Sequence, residues 1–296
     1  MLILKPYPHI TIWGGERLAK YLNEDISSIG HLYTVRGNES DSNQILNNVG
    51  GQTTLYEYFC KNKKRWGLEM YEEFPISVAL VDAKSNLSVQ VHPTSEIATV
   101  YESKGVGKNE SFYIIEEPED KKMINGCKCN SKEQLIQCVE ESAWEEVIDY
   151  LDVEKGDYVY VTAGMLHAMT KGALTYEIEE NCNYTYRLYD YDRVDENGNK
   201  RELDVEKSIA SIDVSKKSIT QKYTQEEIVE EKYATKMIEN VAEYVNMTKN
   251  IECITFIEVN GYVENIQISA GMSILLEPGE NLAEINISKA IVARIL

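Results

Sequence analysis

The feature that most constrains this chain is a recurring one. Short runs of apolar, β-branched and tyrosine residues occur at 75–82, 87–92, 110–116, 157–162, 173–179 and 185–191. Each is bounded by Gly, Asn, Asp or Pro, the residues that end strands and turn the chain. Twenty tyrosines against four phenylalanines favour half-buried sheet faces, since a phenol pairs an apolar ring with a polar tip. The pattern predicts a mainly β chain interrupted by a few helices.

The strongest helical signal is SKEQLIQCVEESAWEEVIDYLD, residues 131–152. It opens with a Ser131…Gln134 capping box, and Leu135, Val139, Ala143, Val147 and Leu151 follow at spacings of four, one apolar stripe. Shorter helical patterns fit 15–22, 53–62 and 204–211. After about residue 212 a polar, charged link leads into a second β-rich region, with Gly261 and the Pro278–Gly279 step expected as its hairpin turns. The expected organisation is a larger β domain at 1–212, with a helical insertion at about 118–152, and a smaller C-terminal β module at 213–296.

Charge removes several function classes. Thirty Lys+Arg against 49 Asp+Glu leave a net charge of −19, which repels nucleic acid and anionic membranes. No run approaches the roughly 18 apolar residues of a membrane helix. The N-terminal MLILKPYPHITIWGG lacks the charged, apolar and cleavage segments of a signal peptide, so a cytoplasmic protein is expected. The six cysteines show no CxxC pair and read as reduced thiols. In such a negative chain, any anion site must be a local cluster of positive groups.

Two of the four histidines stand in informative places. In NLSVQVHP, an extended 87–92 puts Ser88, Gln90 and His92 on one face and Leu87, Val89 and Val91 on the other. In GKNESFYII, Lys108 and Glu110 share a face. In GDYVYVTAGMLHAM, a strand runs into a turn that delivers His167. Neutral imidazoles and a carboxylate converging from separate strands make a metal site. Taken singly, each residue has a plainer reading: a structural histidine, a hydrogen-bonding glutamine, a solvated glutamate. ALTYEIEENC can equally be an edge strand with Glu177 and Glu179 in solvent, and Arg187 can pair with Asp190 or Asp192 at the surface.

GDYVYVTAGMLH resembles the second cupin motif, G-x5-P-x-G-x2-H, with Thr162 at the proline position. VQVHP, GKNE, AGMLHA and TYRLYDYDRVDENGNKRELDVEKS together resemble the short bacterial form of type I mannose-6-phosphate isomerase, from about residue 12 to about residue 210. The resemblance implies a cupin double-stranded β-helix (a jelly-roll barrel). It implies one zinc ion per chain held by His92, Glu110 and His167, with Gln90 as fourth ligand. It makes Arg187 the active-site arginine and Glu177 an acid of the pocket. Ser88 and Lys108 become pocket positions that meet a sugar-phosphate substrate, including its phosphate.

The implied reaction interconverts mannose 6-phosphate and fructose 6-phosphate through an enediol(ate). A fixed guanidinium suits the developing oxyanion. The proton carrier is left open between Glu177, if burial raises its pKa, and Lys108, if cationic neighbours lower its own. The chain departs from the family after VQVHP, where it reads TSEIA, after WGG, and in a shorter C-terminal module. These changes keep two alternatives in view: an isomerase of another sugar phosphate, and a non-catalytic metal- and sugar-binding cupin. Nothing in the sequence decides the oligomeric state, and a homodimer is compatible with it.

Overall fold

The computed structural model describes all 296 residues except 23, 24, 48, 195, 196 and 284. The first elements are β1 (Leu2–Lys5), β2 (Tyr7–Gly15), β3 (Ile29–Val35), β4 (Gln44–Ile45), α1 (Leu55–Asn62) and β5 (Ile76–Asp82). Then come β6 (Val89–Val91), α2 (Ser95–Tyr101), β7 (Glu110–Glu116), β8 (Lys122–Cys127), α3 (Lys132–Glu140) and α4 (Trp144–Val147). They are followed by β9 (Ile148–Asp152), β10 (Asp157–Val161), β11 (His167–Ala168), β12 (Leu174–Glu180), β13 (Tyr186–Tyr189), α5 (Val205–Ser211) and β14 (Thr220–Lys222). The remainder is all strand: β15 (Ile228–Val229), β16 (Tyr233–Val241), β17 (Tyr244–Val245), β18 (Glu252–Val263), β19 (Ile266–Ile268), β20 (Ser273–Leu276), β21 (Asn281–Leu282) and β22 (Ile285–Ile295). Each of the six runs read as strands coincides with one to within a residue or two at either end.

The chain forms two compact units, one of Met1–Ile10, Glu16–Leu80 and Tyr223–Leu296, the other of Thr11–Gly15 and Val81–Lys222. This grouping differs from a division near residue 212. The reason is strand pairing across the chain: β1 runs antiparallel to β20, with Leu2 opposite Leu275 and Leu4 opposite Ser273. A hydrophobic strand at the N-terminus thus completes the sheet built by the C-terminal strands.

In the second unit, β14, β10, β7 and β12 lie side by side in one antiparallel sheet, and β13, β6, β11, β8 and β9 form another. Inward side chains of the two meet at the buried residues described below. In the first unit, β15, β16, β22, β18, β20, β1 and β4 make one sheet. Ile3, Ile254, Phe256, Ile274, Ile287 and Val292 pack together on it, each at most 1% exposed.

Three local expectations are corrected. The helix predicted over 131–152 ends at Glu140. The cap is as read, with the Ser131 hydroxyl accepting from Gln134 N–H at 3.2 Å. Ser142 then takes a left-handed φ of 55°, and after α4 the chain becomes β9. There Met123 pairs with Leu151 and Ile124 with Tyr150, so ladder bonds override the four-residue periodicity. Gly261 is not a turn: it lies inside β18 opposite Ile268 and Ile285. A Cβ there would sit 3.0 Å from Ile285 Cγ1. The turn is made by Glu264 and Asn265, at φ 50° and 65°. The Pro278–Gly279 step is a turn, with Glu280 N–H donating to Glu277 O at 3.1 Å. The 15–22 pattern shortens to a 3-10 turn at Ala19–Tyr21. Helix α2, capped by Thr94 with Glu96 in its first turn, occupies the TSEIA departure and is an element beyond the helices expected above.

Candidate active site

Register places the site. Gln90 on β6 stands opposite His167 on β11 and opposite Arg187 on β13. His167 in turn stands opposite Asn125 on β8. Residues directly opposite in antiparallel strands share a face, so Arg187, Gln90, His167 and Asn125 form one row across the sheet. Ser88 and His92 flank Gln90 two residues away on the same side. On the other sheet, Glu110 of β7 is opposite Glu179 of β12, and Phe112 is opposite Glu177.

The two sheets meet at Glu110. Its Oε2 lies 2.9 Å from His92 Nε2, and its Oε1 lies 2.8 Å from His167 Nε2. All three residues are buried, with ligand atoms within 4.8 Å of one another. His92 Nδ1 is 3.1 Å from the Tyr184 carbonyl, and His167 Nδ1 is 2.9 Å from the Met165 carbonyl. A carbonyl only accepts, so both protons belong on Nδ1. Burial, then the nearby Lys108 ammonium, lowers the His92 pKa to about 4, so the ring is neutral. The His92 Nε2 lone pair therefore points at an ionised carboxylate, and the other oxygen of that carboxylate, Glu110 Oε1, faces His167 Nε2 and is buried with no hydrogen-bond donor. Acceptors facing acceptors is the arrangement a cation resolves, and outer carbonyls fixing the imidazole tautomers are what metal-bound histidines use. The donor set fits a metal ion. Gln90 Nε2 lies 3.5 Å from His167 Nε2, placing the amide at the edge of the same cluster.

A second group of acids adjoins it. Glu110, Glu177 and Glu179 also bring carboxylate oxygens within 4.8 Å of one another. Lys108 forms an ion pair with Glu179 and stands 3.5 Å from Glu110 Oε2. Burial opposes its charge, but Glu179, Glu110 and Glu177 outweigh burial and hold it above the ordinary lysine range. The neighbours are carboxylates, the reverse of the cationic surroundings that would have made Lys108 a base. β12 is no solvent-facing edge: all seven of its residues are buried. Glu179 is the group the sequence reading passed over. The sequence shows only that Glu177 and Glu179, at i and i+2, share a strand face; that this face is buried comes from the pairing of β12 with β7.

Arg187 does not pair with Asp190 or Asp192. Its Nε donates to Ser88 Oγ at 3.3 Å, and its Nη1 donates to the Glu202 carbonyl at 2.8 Å. Asp190 is taken by Arg193 and Arg201, and Asp192 by Lys200. The guanidinium is thus held by Ser88 and by the Glu202 carbonyl, on a strand position that stands opposite Gln90.

No protein-family model matches the chain. It is 35% identical over 240 residues to mannose-6-phosphate isomerase ManA of Bacillus subtilis, covering 80% of this chain and 76% of that protein. The chain belongs to the mannose-6-phosphate isomerase family. A mannose-6-phosphate isomerase of Streptococcus mutans is 34% identical over 217 residues, 73% of this chain and 68% of that one. The solved mannose 6-phosphate isomerase from Bacillus subtilis superposes with a TM-score of 0.81 at 24% identity, covering 100% of this chain and 99% of that one. A phosphomannose isomerase variant from Salmonella typhimurium does so at 0.69 and 12%, covering 100% and 99%. The mainly β cupin fold of this family is therefore the fold of the chain.

Proposed function

We propose that this member of the family interconverts mannose 6-phosphate and fructose 6-phosphate, with zinc held by His92, Glu110 and His167 and by Gln90 as fourth ligand. The observation that supports this most is the pair of imidazoles whose Nε2 atoms are aimed at one buried carboxylate. Two nitrogens and carboxylate oxygen suit zinc, and the excess of carboxylates over Lys108 suits a divalent charge. When bound, the ion supplies Lewis-acid polarisation of substrate oxygens.

The residues of the chain supply the rest. Glu177 takes the proton from C2 of the aldose and returns it to C1, while the hydroxyl proton is redistributed between O1 and O2. The enediolate in between carries negative charge on oxygen. Arg187 donates to that charge without exchanging protons. Lys108, kept charged by its carboxylate neighbours, acts as a hydrogen-bond donor and not as the base. Ser88 orients Arg187 and lines the entry for substrate. Among the described residues no helix is long and apolar enough to cross a membrane. Cysteines free of disulfides fit a reducing compartment, and we place the reaction in the cytoplasm.

The test is a coupled assay of zinc-loaded protein, following fructose 6-phosphate formed from mannose 6-phosphate, beside His92→Ala. Turnover lost in the variant supports the reading. Metal-loaded wild-type protein with no turnover on this sugar refutes it and calls for other sugar phosphates.

A further inference from the structure

The turn that delivers His167 is bonded from several sides. Gly164 N–H donates to the His92 carbonyl at 2.8 Å, and Asp213 N–H donates to the Gly164 carbonyl at 2.8 Å. Lys216 Nζ reaches the Ala163 carbonyl at 2.6 Å. Gly126 N–H donates to the Leu166 carbonyl at 2.7 Å, and a further contact comes from Asn109, whose Oδ1 accepts from Ala163 N–H at 2.8 Å. The same amide donates through Nδ2 to Glu180 Oε1 at 2.8 Å. The main chain repeats this link, with Glu180 N–H donating to the Asn109 carbonyl at 2.9 Å.

Asn109 immediately precedes β7, and its side chain reaches the His167 turn and Glu180, whereas Lys108 beside it in sequence reaches Glu179 and Glu110. Asn109 is 9% exposed and Glu180 is 3% exposed. One planar group must here accept from a backbone N–H and donate to a carboxylate at once. Asparagine offers both, aspartate cannot donate, and an aliphatic residue offers neither. The orientation of the amide follows from those two partners.

We infer that Asn109 is a positioning residue for the metal-ligand set: its amide clamps the His167 turn and the end of β12 to the strand that carries Glu110. The three ligand segments then move as one body. Gly164 joins the turn to His92, Asn109 joins it to Glu110, and Glu180 joins that strand to the one carrying Glu177 and Glu179. Metal ligands need placement to within about 0.5 Å, and bonds one step removed from the ligands are what supply it. The inference rests on the metal-centre reading above.

The experiment measures zinc affinity by chelator competition, with Tm and the kcat and KM for mannose 6-phosphate, on full-length protein. Asn109→Ala is expected to weaken zinc binding by about 10–100-fold and to lower kcat at saturating zinc more than it raises KM. Asn109→Asp keeps the acceptor for Ala163 but sets a carboxylate against Glu180, and should show a similar loss. Asn109→Asp with Glu180→Gln restores a donor–acceptor pair of reversed polarity and should recover zinc affinity to within about threefold of wild type. Should Asn109→Ala not fold, the aspartate variant and the double variant decide. Unchanged zinc affinity in folded Asn109→Ala overturns the inference, as does a double variant no better than Asn109→Asp. Wild-type protein that takes up no zinc overturns the metal reading and the inference with it, whereas zinc binding indifferent to Asn109 overturns the inference alone.

Discussion

Between the sheets of the second unit lie His92, His167, Glu110, Glu177, Glu179 and Lys108, every one of them buried. The sheet of the first unit covers itself with Ile3, Ile254, Phe256, Ile274 and Ile287. Both units alternate inward and outward residues along antiparallel strands, and they differ in what occupies the inward positions. Much of the polarity buried in the first unit is neutral groups that satisfy each other. Thr34 Oγ1 is 3.3 Å from Thr255 Oγ1, which is 2.8 Å from Ser273 Oγ. Buried carboxylates and an ammonium cost far more to desolvate than such hydroxyls. Among the described residues the first unit buries charge as single groups, Arg36 against Asp41 and Glu252 against the Tyr244 hydroxyl. The second gathers three carboxylates, two imidazoles and an ammonium at one place, a concentration that serves chemistry and not stability.

That contrast can be broken most sharply at a metal ligand. His92→Ala should lower kcat/KM by about 1000-fold or more, roughly 4 kcal/mol, together with loss of bound zinc, while urea unfolding of the metal-free protein changes little. A variant that unfolds more readily but turns over normally would reverse the assigned roles. The converse substitution is Ile254→Ala in the first unit. Truncating a fully buried aliphatic side chain should cost about 3 kcal/mol in denaturant unfolding and leave zinc affinity unchanged. A proportionate fall in zinc affinity would mean that the two kinds of interior are not separable.

Charge sharpens the comparison further, because one acid in each unit is shifted in the opposite sense. Burial raises the pKa of Asp190, but hydrogen bonds and charge from Arg201 and Arg193 outweigh it and hold the carboxyl below the ordinary range. The unfolded chain then takes up the proton first on acidification. The contribution of Asp190 is present above the ordinary aspartate pKa and is lost as pH falls through the folded-state value. Asp190→Asn should destabilise by about 2 kcal/mol at pH 7, with the gap closing in acid. In the first unit, burial raises Glu252 despite Tyr244, Lys236 and Arg294. The folded state holds this proton more tightly, so its contribution is present below the ordinary glutamate pKa and is lost as pH rises through the folded-state value. Glu252→Gln keeps an acceptor for the Tyr244 hydroxyl and should stabilise slightly at pH 7 but not at about pH 4. Urea titrations of both variants at the two pH values check the signs, and equal slopes would show that burial and pairing do not act as described.

Much of the site was legible because strand alternation is local. Ser88, Gln90 and His92 on one face, Lys108 and Glu110 on another, and a turn ending in His167 follow from a period of two and a glycine. Arg187 was placed by resemblance, and its bond to Ser88 replaces the surface ion pair that its own neighbourhood in sequence allowed. Glu179 looked like a solvated edge residue because nothing within its own strand reveals that β7 pairs with it.

The sequence by itself determined which segments are extended, where Ser131 starts a helix, and which polar side chains share a strand face. These depend on backbone preference, capping and a two-residue period, all set within a few neighbours. Only the tertiary structure decided that 148–152 is a strand beside β8, that Gly261 lies inside a strand, and that β1 belongs with β20. It alone brought Lys108 under three carboxylates. Each of those outcomes depends on hydrogen bonds and charges supplied by residues distant in the chain, and their energies outweigh the local preference that the sequence displays.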